Sequence, residues 1–198
     1  MDGFGGYKSA ATSALPDAVT VIDPFHVVAL AGTKLDLCRQ RVQQDTCGHR
    51  GRAGDPLYRV RRTLRTRTGL LSTKQKARLE TVFAADEHVA VEVTWQVYQQ
   101  MIAAYAHPDP RQGNTLLARV IDMLHTGLPP GLEELATLGR TLHRRRDDVL
   151  AYFTHRASNG PTEAINGRLE ALRRNALGFH NLINYRIRSL LHCGNLAL

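Results

Sequence analysis

The chain has 198 residues, 43% of them hydrophobic and 6% aromatic, enough for one domain with a core and a second lobe. Lys and Arg number 26 against 18 acids, and the formal charge of +8 suits a polyanion, since every phosphate contact releases condensed counterions. No apolar run reaches the roughly 18–20 residues of a membrane span, the first residues lack the order of a signal peptide, and Cys38, Cys47 and Cys193 form no C-x-x-C pair. These features predict a cytoplasmic protein without a membrane segment, a zinc site or a disulfide framework.

In chain order, Leu15-Pro16-Asp17 reads as a turn, and the unbroken β-branched run Ala18-Val19-Thr20-Val21-Ile22 as a strand of a covered sheet. No second strand is legible to pair with it. Pro24 opens a helix to about Gln44, with Val27, Val28, Leu30, Ala31, Leu35 and Cys38 on one side. A Gly-rich loop over 46–55 follows, and Pro56 begins a short basic helix. Ser72 and Gln75 form a capping-box pattern that starts a helix through Ala85. Val89 to Ala106, carrying Trp95, Tyr98, Met101 and Tyr105, is apolar on most of its circumference and predicts a buried central helix. His107-Pro108-Asp109-Pro110 breaks it. Asn114 to His125 and Gly131 to about Phe153 are two further amphipathic helices. Ser158-Asn159-Gly160-Pro161 then caps a helix with Ile165, Leu169 and Leu172 on its apolar side and Glu163, Asn166, Glu170 and Arg174 on a polar one. A last helix, about Asn181 to His192, mixes Leu and Ile with Arg186 and Arg188.

Several of these residues carry more than one meaning. Glu163 in a first helical turn is what the helix macrodipole favours in any protein; it is also a hard oxygen donor suited to Mg²⁺ or Mn²⁺. Asp23 at a strand end, with His26 one turn on, permits strand-end chemistry, but an N-cap Asp before an N1 proline with His26 as a packing residue explains the pattern equally. Composition gives Asp2, at the terminus, no role. The arginines fall into three groups: Arg59, Arg61, Arg62, Arg65 and Arg67; Arg140, Arg144, Arg145 and Arg146; and Arg168, Arg173 and Arg174 on the helix of Glu163. Each of the first two groups is either a solvated helix face or a set of phosphate contacts, and for Arg173 and Arg174, beside Glu163, phosphate contact is the expectation; such contacts position DNA without reading its sequence.

The order Met-Asp-Gly-Phe-x-Gly-Tyr-Lys, then Leu-Pro-Asp-Ala-Val-x-Val-x-Asp-Pro-Phe-His-Val-Val, then Ser-Asn-Gly-Pro-Thr-Glu-Ala-Ile-Asn-Gly-Arg-Leu-Glu resembles the catalytic domain of bacterial insertion-sequence DDE transposases of the ISL type. The likeness runs from Asp2 to about Gly194. It implies an RNase H-like fold in which three carboxylates hold two divalent ions. Asp2 matches the second acid, at the end of the fourth strand, and Glu163 the third. Asp23 and His26 match an Asp-x-x-His element near the scissile DNA. The first acid, expected in an Ile-Asp-Glu strand, has no counterpart here, nor does the zinc-binding and helix-turn-helix region that precedes it.

The expectation is therefore a mainly α chain: a truncated RNase H-like α/β domain with one recognisable strand, most of its sheet missing, and a large all-helical insertion. Residues 1–38 would be the core remnant, 39–153 the insertion and 154–198 the return to the core. As a truncated or mis-started frame, or the relic of an element, it is expected to be catalytically incompetent alone. The resemblance implies double-stranded DNA as partner, at transposon ends and target, with nucleoid association when bound and pairing with itself or a full-length transposase. The competing reading is a non-catalytic helical DNA-binding or regulatory protein that pairs with such an enzyme.

Overall fold

A computed structural model describes Ser9 and residues 13–193. Helices dominate, and no strand occurs among the described residues. The chain divides into two units, one ending at Ala157 and the other beginning at Ser158.

In the first unit, α1 (Pro24–Cys47) begins where the sequence signals say it should. Pro24 occupies the first turn, and the Asp23 carboxylate accepts from the Phe25 N–H at 2.8 Å. The helix outlasts its expected end by three residues. It stops at Gly48, whose φ of 71° is the left-handed cap conformation that glycine adopts without a Cβ penalty. Two single-turn helices follow, α2 (Pro56–Arg59) and α3 (Arg61–Leu64), and then α4 (Thr73–Phe83). The capping box of α4 forms in both directions: Ser72 Oγ accepts from Gln75 N–H at 3.3 Å, and Gln75 Oε1 accepts from Ser72 N–H at 2.9 Å. Ser72→Ala is expected to cost about 1 kcal/mol. Faster hydrogen exchange at the Gln75 amide would report the loss, and unchanged protection there would argue against the cap.

The long apolar helix α5 (Val89–Tyr105) is central, as its composition predicts. It packs on α1 on one side and on α6 (Pro110–His125) on the other. Val91, Thr94, Tyr98 and Met101 recur at three- and four-residue intervals and are buried. The start of α6 differs from the sequence reading. Pro110 begins it rather than ending what came before, because Asp109 Oδ1 accepts from Arg111 N–H at 2.8 Å and a first-turn proline has no N–H to leave unpaired. Leu117, Val120, Ile121 and Leu124 then face α5, α7 (Glu133–Arg144) and α8 (Arg146–His155).

The single helix expected from Gly131 to Phe153 is two. Arg145 leaves helical geometry at φ −112° and ψ 22°. No glycine or proline marks the break. What marks it is charge: His143 and Arg144 close α7, while Asp147 and Asp148 open α8, each set favourable with its own helix dipole. The turn lets α7 and α8 both pack on α6.

The expected strand is also corrected. Residues 18–22 are not helical, and they pair with no strand among the described residues. Two of their polar groups go to α8 instead. Ile22 N–H donates to the Asp148 carbonyl at 2.9 Å, and the Thr20 hydroxyl donates to the Asp148 carboxylate. A helix terminus thus satisfies backbone that a sheet would otherwise have to satisfy. Ile22 enters the same core as Val27, Leu35, Met101, Leu117 and Leu138. The position 38/39, where the sequence reading divides core remnant from insertion, falls inside α1.

The second unit holds α9 (Gly160–Asn175) and α10 (Leu182–Cys193), packed on one another. Neither has a buried residue.

Candidate functional site

Asp2 lies outside the described residues. Glu163 sits in the first turn of α9, exposed, with its N–H bonded to the Asn159 carbonyl at 2.9 Å. The Asn159 amide donates to Glu163 Oε1 at 3.1 Å. The exposed carboxylate is held by a neutral amide in the first turn of the helix, where it can act as an oxygen ligand. No group of three or more His, Cys, Asp or Glu poised for a metal occurs among the described residues. Glu163 thus fits a hard divalent ion as a donor, but the described residues do not complete a site for one.

Farther along α9, Arg173 and Arg174 turn back onto Glu170. Arg173 reaches its two oxygens at 2.8 and 2.9 Å, and Arg174 reaches Oε1 at 3.1 Å. Hydrogen bonds from Arg173 first and Arg174 second pull the Glu170 carboxyl down to about 2, so it stays ionised throughout the neutral range. The three side chains carry a net single positive charge. Arg168 is exposed on the same helix.

In the first unit, Asp23 is buried and serves as the N-cap of α1. His26 is half-buried, edge-on to Phe25 at 5.4 Å between ring centroids, and lines a cavity of about 370 Å³ with Val27, Leu30, Thr33, Thr141 and Arg145. Burial chiefly raises the pKa of the Tyr105 phenol, helped by Tyr152 and by the nearby Asp23. The capping reading of Asp23 is therefore realised, with His26 and the half-buried Tyr105 in its neighbourhood. In the sequence Tyr105 has no legible role beyond packing.

The arginines separate by what they touch. Leu57, Val60 and Leu64 anchor α2 and α3 in the core, which turns Arg59, Arg62 and Arg65 outward. Arg61 is committed: its guanidinium lies 3.9 Å from the Tyr58 ring centroid, and it donates to the Tyr58 carbonyl at 2.8 Å. Arg65 runs across Gly32 of α1, where a Cβ would come within 2.7 Å of its guanidinium. Arg67 is exposed. In the second group, Arg145 is turned inward, its side chain 14% exposed and its Nε 2.5 Å from Asp148 Oδ2. Arg146 pairs with Asp122 at 3.2 Å. Arg144 and Arg140 remain exposed. Asp148, buried and bonded to both Arg145 and Thr20, is the residue that sequence reasoning missed. Its position in the first turn after a run of arginines was the available signal.

Cys38 is buried beside Thr94, and burial pushes its thiol up to about 11, so it is protonated and unreactive at neutral pH. No described helix is long and apolar enough to cross a membrane.

A family model described as "Transposase", DDE_Tnp_ISL3, matches residues 1–189. A curated protein of Lactococcus lactis subsp. lactis, named as an ATP-dependent protease, is 30% identical over 106 residues, which cover 54% of this chain and 32% of that one. The chain thus spans about a third of the length of that relative. No solved structure matches.

Proposed function

Because the chain belongs to the ISL3 type of DDE transposases, we propose that it carries part of the machinery for cleaving and joining DNA strands at the terminal inverted repeats of an insertion sequence. Asp2 and Glu163 are two of its metal-binding carboxylates, in an RNase H-like core, and residues 39–153 are a helical insertion that holds duplex DNA. The observation that carries the reading is the exposed Glu163 in the first turn of α9, within the Ser158-Asn159-Gly160-Pro161-Thr162-Glu163 motif of a chain matched over residues 1–189.

Two divalent ions, Mg²⁺ or Mn²⁺, supply Lewis-acid stabilisation of an in-line phosphoryl displacement when they are bound by such carboxylates. The residues of this chain orient and hold. Asn159 fixes one oxygen of Glu163 in the first turn of α9. Asp23 and His26 stand at the DNA near the reacting phosphate in this reading. Arg59, Arg62, Arg144 and Arg168 offer cationic contacts to the backbone, whereas Arg61, Arg145, Arg173 and Arg174 mostly shape the protein.

With two acids in place of three, these 198 residues are inactive by themselves. A supercoiled plasmid bearing the element's inverted repeats, incubated with the purified chain and Mg²⁺ or Mn²⁺, should remain unnicked. Nicking that Glu163→Gln abolishes would overturn the inactivity while supporting the role of Glu163. A second reading, a non-catalytic partner of a full-length transposase, is favoured by the exposed Ile183, Ile187, Leu190 and Leu191 of α10. In the same assay it predicts that adding the chain suppresses nicking by the full-length enzyme.

A further inference from the structure

Between Gly48 and Leu71 the sequence holds seven arginines and a single acid, Asp55. Two of those arginines, Arg50 and Arg52, lie on the glycine-rich loop between α1 and α2, and both are exposed. Such a loop, with glycines at 48, 51 and 54, would be expected to lack a fixed shape. Here a chain of polar contacts ties it to the core.

The contacts start inside α1. Arg39 and Gln43 are 4% and 1% exposed, an expensive position for a cation and an amide unless both are engaged. Arg39 bonds Asp36 at 2.8 Å and also donates to the Gln43 side-chain oxygen. That bond fixes the orientation of the Gln43 amide, whose Nε2 donates to Asp55 Oδ2 at 3.3 Å. The same Asp55 oxygen accepts from the Arg52 backbone N–H at 2.5 Å and lies 3.4 Å from His49 Nδ1. Asp55 occupies the N-cap position of α2, yet its side chain makes no cap bond there; it faces back into the loop. Gly51, at φ 127°, presses against Tyr58, where a Cβ would come within 2.6 Å of the ring. Tyr58 in turn carries Arg61 on its face. Loop, α2 and α3 are thereby one preformed module.

We propose that this module is a duplex-DNA backbone clamp in which Arg50 and Arg52 contact phosphates alongside Arg59 and Arg62, and in which Asp55 is a positioning residue that holds the loop in its binding shape. The proposal rests on the DNA-binding reading given above and deepens it by naming the element and the mode. An ordered loop binds more tightly than a mobile one because less freedom is lost on association. Phosphate contacts carry no base code, so the clamp is indifferent to sequence.

The test measures fluorescence anisotropy of the full chain on two labelled 30-base-pair DNA duplexes of unrelated sequence and on an RNA duplex, across a salt titration. Arg50→Ala/Arg52→Ala should weaken both DNA duplexes equally and reduce the slope of log affinity against log salt by about 2. Asp55→Ala supplies the sharper contrast. It adds a net positive charge, so electrostatics alone predicts tighter binding, whereas loss of the loop's shape predicts weakening by roughly three- to tenfold. Asp55→Asn, with the same charge but a side-chain oxygen retained, should recover most of that loss. Thermal melts of each variant show whether it is folded.

If the double variant keeps the wild-type affinity and slope, the clamp is overturned and general DNA binding stands. A wild-type chain that binds neither DNA duplex overturns both. Asp55→Ala binding as tightly as wild type or tighter removes the positioning role, and a preference for RNA removes the assignment to DNA.

Discussion

Asp148→Ala is expected to lower the unfolding free energy by about 3–5 kcal/mol, the scale for removing one partner of a buried ion pair. Asp148 is 4% exposed, and its side chain bonds Arg145 Nε at 2.5 Å and the Thr20 hydroxyl. Truncation takes the Asp148 carboxylate away from a guanidinium that is only 14% exposed. It also unties the segment before α1 on its side-chain side, although the Ile22 N–H keeps the Asp148 carbonyl. A double change, Asp148→Ala with Arg145→Met, should recover a large part of the loss, because the charge left behind costs more than the pair is worth. Denaturant unfolding of the three variants checks this. A single-variant loss below about 1 kcal/mol, the range of solvated surface pairs, would show that the pair does not hold the α7–α8 turn.

The second large effect concerns helix crossings. Gly139 of α7 and Gly113 of α6 are buried in their helices, and each is a position where alanine's better helix propensity would favour replacement by about 1 kcal/mol. Yet a Cβ at Gly139 would come within 2.6 Å of the Leu124 carbonyl oxygen and 2.8 Å of the Leu124 Cβ. At Gly113 it would meet the Ala104 carbonyl oxygen at 2.6 Å and the Phe153 ring at 2.6 Å. Backbone atoms cannot move aside by changing rotamer, so the helices themselves must separate. Gly139→Ala and Gly113→Ala are expected to destabilise by about 1–3 kcal/mol, the range for overpacking. Gly167→Ala is the internal control: nothing lies within 4 Å of its would-be Cβ, and it should be neutral or stabilising by up to about 1 kcal/mol. Equal responses at all three positions would show that propensity, not close approach, governs them.

The elements were legible where the signal is local. A cap, a first-turn proline and an apolar stripe act within one or two turns, so α1, α4, α5 and α9 begin close to where the sequence places them. The break at Arg145 was missed because no glycine or proline records it; the switch from basic to acidic residues around it is a weaker signal that needs the packing of α7 and α8 on α6 to become decisive. Nor was the fate of residues 18–22. Their β-branched composition suits a strand, but a strand needs neighbours, and Thr20 and Ile22 instead bond Asp148, over a hundred positions away. The candidate site divided in the same manner. Glu163 was singled out by its motif and stands exposed in the first turn of α9, held by Asn159. Asp23 fitted two roles in the sequence, and the 2.8 Å bond to Phe25 N–H shows it capping α1.

By itself the sequence determined the helical content, the family, the order of the helices and the residues able to carry charge, since each follows from composition or from neighbours along the chain. Only the tertiary structure decided which charges are spent inside the protein. Arg41 grips Glu134 through two bonds of 2.9 Å across 93 positions, Arg145 is drawn inward to Asp148, and Arg61 lies on Tyr58, while Arg59 and Arg62 face solvent. In one dimension these arginines are equivalent. Folding distinguishes them, because an acid or ring brought close from elsewhere in the chain competes with water and phosphate for each guanidinium.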